Sequence, residues 1–232
     1  MTPQGTAWYW FIRWCARYLV LGFFSGGMKV VGLENVPKDG PVIFAPIHVS
    51  MFDPPIVSCA APRAVNFMAK EELFKPPVLG PLILSLGAFP VKRGAGDTSA
   101  VKLALERLGV GAALIMFPEG TRGDGKTLGE MQSGVAMIAK RSSAQVVPVG
   151  IYGSHKMLPK GQTLPKFSRL KVAFGKPFTY AETATGANER ENRILFGAEM
   201  ERRLVEQCRV AGLEVRTSSE SASQEEPDSL GT

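Results

Sequence analysis

Pro41-Val42-Ile43-Phe44-Ala45-Pro46-Ile47-His48-Val49-Ser50-Met51-Phe52-Asp53-Pro54-Pro55 joins an apolar run, a short turn and a proline-marked helix start. Pro41–Ala45 has the β-branched and aromatic content of a buried strand. Proline favours the first helical turn and keeps the residue before it out of the α region, so a helix is expected to begin at Asp53. A strand that turns directly into a helix is the unit of an α/β domain. The unit recurs along the chain. Strands are expected at Ala64–Met68, Phe89–Val91, Ala112–Phe117, Gln145–Tyr152 and Leu170–Phe174. Asp97 can cap a helix running to Leu108, where Val101, Ala104, Leu105 and Leu108 share one face and Gly109 closes it. A charged helix is expected from about Asn188 to Cys208. Leu73–Phe89 is apolar, but Lys75, Pro76, Pro77 and Pro81 interrupt it, so its pattern reads as a core helix rather than a membrane span. The whole predicts a single α/β domain with a mostly parallel or mixed central sheet flanked by helices.

The turn in the quoted stretch carries the chemistry. Histidine is the side chain most readily used as a base near neutral pH, and a carboxylate can hold its tautomer and stabilise its protonated form. Only two histidines occur in the chain, His48 and His155. A five-residue spacing separates two side chains by about 140° on a regular helix, so His48 and Asp53 cannot meet across one. They can meet if His48 lies on the strand-end turn and Asp53 opens the helix. The plainer alternatives are a core histidine and an N-cap aspartate. His155, after the strand ending at Tyr152, suits binding or structure.

A second turn follows the Ala113–Phe117 run: Pro118-Glu119-Gly120-Thr121-Arg122. Gly120 allows close backbone approach. Arg122 offers a forked donor set for phosphate oxygens. Glu119 can accept from a hydroxyl or orient a basic group. Overlapping it, Gly120 to Thr127 matches the G-x-x-x-x-G-K-[ST] phosphate loop, which would place Lys126 on a nucleotide. Two features speak against that: no later apolar strand ends in an aspartate for magnesium, and Leu128–Gly134 opens a helix poorly. There is no G-x-S-x-G elbow, and no His/Cys cluster offers a metal site.

Composition adds the setting. The 232 residues can enclose one sizeable core. All 27 Lys and Arg and 17 of the 21 acids fall in residues 1–216, so that body carries +10. Such charge suits anionic partners such as lipid head groups or phosphorylated substrates. Residues 217–232 hold four acids and no Lys or Arg and read as a disordered acidic tail. Cys15, Cys59 and Cys208 form no disulfide framework, which points to a reducing compartment. Residues 1–28 hold all three tryptophans, with Arg13 and Arg17 on one helical face. Central arginines cost about 2.5–3.5 kcal/mol each on insertion scales, so the balance favours an amphipathic helix lying in the membrane interface.

His48-x-x-x-x-Asp53, then Gly87-Ala-Phe-Pro-Val-Lys-Arg93, Phe117-Pro-Glu-Gly-Thr-Arg122 and Val146-Val-Pro-Val-Gly-Ile151 form four ordered blocks over roughly residues 30–180. Together they resemble the 1-acylglycerol-3-phosphate acyltransferase family. One departure is visible: Met131-Gln132-Ser133 precedes Gly134 where many members carry a more basic stretch. The resemblance implies transfer of a fatty acyl group from acyl-CoA or acyl-carrier protein to the sn-2 hydroxyl of 1-acylglycerol-3-phosphate, giving phosphatidic acid. His48 would be the base and Asp53 its orienter. Glu119, Gly120, Thr121, Arg122 and Arg93 would bind the phosphate end of the acceptor, and Lys70 could face the oxyanion. No cofactor, metal or nucleic acid is implied. Lysophosphatidic acid, an acyl thioester and the membrane surface are the expected partners, at the cytoplasmic face and with a peripheral or monotopic attachment. Leu73–Phe89 could then line an acyl-chain groove. Alternatives are another lysophospholipid or glycerol-3-phosphate as acceptor, a thioesterase, and a non-enzymatic membrane module. Residues 29–216 would form the acyltransferase domain.

Overall fold

A computed structural model describes residues 6–91, 98–159, 161–162, 164–217 and 220. The Asp97 cap, Arg93 and nearly all of the acidic tail lie outside the described residues. The N-terminal segment is helical as α1 (Ala7–Cys15), continues through a π-helical stretch (Ala16–Leu21) and ends in a last turn (Gly22–Ser25). Strand β1 (Met28–Val31) follows, then β2 (Val42–Pro46), α2 (Asp53–Ala60), β3 (Val65–Lys70), α3 (Leu79–Ser85), β4 (Ala88–Val91), α4 (Thr98–Gly109) and β5 (Ala113–Ile115). Then come α5 (Ser133–Ser142), β6 (Gln145–Tyr152), β7 (Leu170–Phe174) and α6 (Glu189–Ala211), with single helical turns at Ser154–Met157 and Tyr180–Thr183.

The strands form one mixed sheet in the order β1-β7-β6-β2-β5-β3-β4. All neighbouring pairs are parallel except β6 with β7. The carboxyl ends of β6, β2, β5, β3 and β4 therefore point to one edge, where ligands bind in open α/β sheets. Side chains alternate across the sheet. Val42, Phe44, Ala113 and Ile115 enter one core, and Ile43, Ala45, Leu114 and Met116 enter the other. α2 and the N-terminal helix cover the first face; α4, α5 and much of α6 cover the second. Gly150 lets α6 cross β6 closely: a Cβ there would lie 2.0 Å from the Gln207 carbonyl oxygen.

Two expectations are corrected. β1 was not expected; it is short and pairs only with β7, so its signal is four residues long. Leu73–Phe89 is no plain core helix. It folds as a 3₁₀ turn (Glu71–Phe74) and the short α3, whose Ile83 packs inward while Val78, Leu79, Leu82 and Leu84 stay exposed. The prolines shorten the helix to two turns, too little to be enclosed on all sides.

The shared face of Arg13 and Arg17 turns inward. Arg13 donates to the carbonyls of Cys59, Ala61 and Arg63, and Arg17 to that of Cys59. These groups belong to the end of α2 and the turn after it. A helix end has unsatisfied carbonyls and partial negative charge, so two guanidinium groups satisfy both. Burial holds Arg13 below the usual arginine range. The buried Tyr9 hydroxyl accepts from Val65 N–H at 3.0 Å. Trp8, Phe11, Trp14, Tyr18 and Phe23 are left on the outside. No helix among the described residues is long and apolar enough to cross a membrane.

Candidate active site

β2 delivers Ile47 and His48 to the carboxyl edge, and the turn Val49–Phe52 brings the chain back to Asp53 at the start of α2. His48 Nδ1 lies 3.0 Å from Asp53 Oδ2. The same oxygen accepts from Val49 N–H and Ser50 N–H, each at 2.7 Å. Asp53 is fully buried, while the His48 side chain is 13% exposed. Asp53 is thus not the helix cap: Phe52 holds that position, and the carboxylate points back into the turn before the helix. Because Nδ1 faces a carboxylate oxygen that already takes two amide protons, the Nδ1–H tautomer follows, and Nε2 is the nitrogen free to take a proton.

The second turn clamps the first. Glu119 Oε1 accepts from His48 N–H and its Oε2 from Gly129 N–H, both at 3.0 Å. Gly123 N–H donates to the His48 carbonyl at 2.8 Å. The Phe117 ring stacks on the imidazole with centroids 3.8 Å apart. Glu119 is buried, and each of its oxygens accepts from a backbone amide, so it holds the two turns together. Burial pushes its carboxyl up, against the pull of those amides. In Glu119→Gln an NH₂ replaces one acceptor and faces an amide N–H. A loss of about 1–3 kcal/mol is expected, seen as a lower urea midpoint, with a fall in turnover as His48 loosens.

Gly120 adopts φ +68°, which aims the loop outward so that Thr121 is exposed and Arg122 partly so. Lys70 is exposed at the end of β3. Since β5 lies between β2 and β3, Lys70 is two strand spacings, about 10 Å, from the His48 strand. The phosphate-loop reading of Lys126 fails. No helix opens at Thr127, the next one beginning only at Ser133; the amides of Lys126 and Thr127 are taken by Asp124 Oδ1 at 2.8 and 3.1 Å, and Lys126 O accepts from Arg216 N–H. Ser50 escaped the sequence reading, and His155 was read without a place at this edge. Ser50 Oγ donates to the Leu158 carbonyl at 2.9 Å, tying the turn after His48 to the segment after β6. His155 lies beside Gly125 at the same edge, held below the usual histidine range by burial and by Lys156. Neither has a local pattern that could announce it.

An acyltransferase family model matches residues 27–152, more than half of the chain. The chain belongs to the acyltransferase family. It is 30% identical over 174 residues to a 1-acyl-sn-glycerol-3-phosphate acyltransferase of Bacillus subtilis, covering 74% of this chain and 84% of that one. A chloroplastic 1-acyl-sn-glycerol-3-phosphate acyltransferase of Arabidopsis thaliana is 28% identical over 171 residues, 72% of this chain and 48% of that one. The chain thus spans about half the length of its plastid relative. The crystal structure of the 1-acyl-sn-glycerophosphate acyltransferase PlsC from Thermotoga maritima superposes with a TM-score of 0.65 at 27% identity, over 86% of each chain. For this acyltransferase-family chain the matched region holds both turns, β2 to β6 and the His48–Asp53 contact.

Proposed function

We propose that the protein transfers a fatty acyl group from a thioester, acyl-CoA or acyl-carrier protein, to the sn-2 hydroxyl of 1-acylglycerol-3-phosphate. The observation that carries the reading is the 3.0 Å contact between His48 Nδ1 and a buried carboxylate, at the open edge of an acyltransferase-family sheet. The relatives' names support 1-acylglycerol-3-phosphate as the acceptor. In this mechanism Nε2 of His48 takes the hydroxyl proton as the oxygen bonds to the thioester carbonyl. Asp53 holds Nδ1–H and stabilises the imidazolium. The tetrahedral intermediate then expels the thiolate, which recovers the proton from Nε2. The ester oxygen comes from the acceptor, and a free thiol leaves. No acyl-enzyme, metal or cofactor takes part. Arg122, Thr121 and the Gly120 backbone, with Arg93, would hold the acceptor phosphate, and Lys70 could approach the oxyanion.

The exposed aromatic face of α1 supports work at a membrane surface; peripheral attachment on the cytoplasmic side is part of the same proposal. The exposed apolar side chains of α3 offer a surface for acyl chains. The deciding experiment incubates the purified chain with a panel of lysolipids and glycerol-3-phosphate, with acyl-CoA and with acyl-carrier protein, and reads products by mass spectrometry. Phosphatidic acid formed in step with free thiol is the expected result. Free fatty acid without an acceptor would instead make it a thioesterase. Arg122→Ala should chiefly raise the KM for the acceptor if it binds ground and transition states alike. A change confined to the acyl donor in steady-state kinetics would reassign that loop.

A further inference from the structure

We propose that Leu164, Lys166 and Phe167, which follow Leu158 in the chain, form a second lipid-contact element, resting on the same anionic bilayer surface as the aromatic face of α1. The inference builds on the membrane reading above and adds a contact remote in sequence from the N-terminal helix.

These residues are tied to the body of the protein at two points. Lys166 N–H donates to the Met157 carbonyl at 2.8 Å, and Ser168 N–H to the Phe24 carbonyl at 2.9 Å. Met157 and Ser168 are buried. Between these ties Leu164 and Phe167 stand 79% and 67% exposed. The Phe167 ring lies against the end of the N-terminal helix, where a Cβ on Gly26 would meet it at 3.4 Å. Phe23, beside that end, is 76% exposed. The loop therefore extends the outward aromatic surface of the helix rather than forming a separate patch. A groove would call for a shaped partner; single exposed apolar side chains on a loop suit a fluid bilayer boundary, which imposes no shape.

Charge points the same way. The chain has no Asp or Glu from residue 1 to residue 33, and none from residue 131 to residue 181. Lys29, Lys166 and Arg169 are exposed, and none of them has a carboxylate within ion-pair distance among the described residues. A surface of unpaired cations beside apolar side chains matches anionic head groups above an acyl layer.

The second contact has a mechanical use. One helix lying in a surface restrains the tilt of the domain about the helix axis only through its own narrow apolar face; a contact displaced from that axis restrains it with a longer lever. The root of the segment is Leu158, whose carbonyl accepts from Ser50 Oγ in the catalytic turn. Fixing the loop on lipid thus fixes the attitude of the turn that bears His48.

The test uses the full chain and vesicles of phosphatidylcholine with or without phosphatidylglycerol, read by co-sedimentation. Leu164→Ser/Lys166→Glu/Phe167→Ser should weaken binding to the anionic vesicles on the order of ten-fold or more, since each cation near such a surface contributes about five-fold. Leu164→Glu, at a site with almost no packing, should weaken it on the order of five-fold and serves if the triple variant fails to fold. Turnover on a short-chain, water-soluble acceptor should be unchanged, and turnover on vesicle-borne acceptor reduced. Wild-type vesicle binding by a folded variant would overturn the proposal. Binding is measured without catalysis, so absence of acyl transfer by the wild-type chain would refute the enzymatic reading and leave this result standing.

Discussion

His48→Ala is expected to lower turnover by about 10²–10⁴-fold, the range typical for loss of a positioned general base. The side chain touches Phe117 and Asp53, and its backbone bonds to Glu119 and Gly123 survive the change. The variant should therefore fold, which circular dichroism and a thermal melt would confirm. Acceptor and donor KM should move little, because Nε2 gains its role only as the hydroxyl proton departs. A folded His48→Ala protein with near wild-type turnover would sink the mechanism, and no second histidine could rescue it without His155 being shown essential.

Asp53→Asn should cost on the order of 10²-fold or more in turnover, and it tests something different. Oδ2 accepts three hydrogen bonds, so the amide oxygen must take that position. The imidazole then keeps its tautomer but loses the charge that stabilises it once protonated. The amide NH₂ falls at Oδ1, which is buried and without a partner among the described residues. About 1–3 kcal/mol of stability should go with it. Turnover near wild type in Asp53→Asn would reduce Asp53 to a latch on the Val49–Ser50 turn.

Much of this arrangement was legible in the chain because it is written locally. β6 and β7 have the expected bounds, since both are apolar runs with turn residues at their ends. The strand-turn-helix reading of His48 and Asp53 rested on Pro54 and Pro55, whose constraints act within one residue. The His–Asp contact itself is of that kind. What was not legible depends on partners distant in sequence. Glu119 reads as a turn carboxylate for a hydroxyl or a basic group, but its partners in the fold are backbone amides, which carry no signature of their own. Arg13 and Arg17 read as interfacial cations, but the carbonyls they meet lie past the end of α2. Asp53 has the composition of an N-cap, and only the geometry of the preceding turn turns it backwards.

The arginine contacts also set an order of events during synthesis. Arg13 and the Cys59 carbonyl are 46 residues apart. At about 5–20 residues per second, the chain needs roughly 2–9 seconds to produce the acceptor after the donor. For that interval the nascent aromatic helix has no protein surface to lie on, while a bilayer offers one at once. Landing on lipid first and receiving the domain afterwards would let the membrane serve as the template on which α2, and with it the catalytic turn, is assembled.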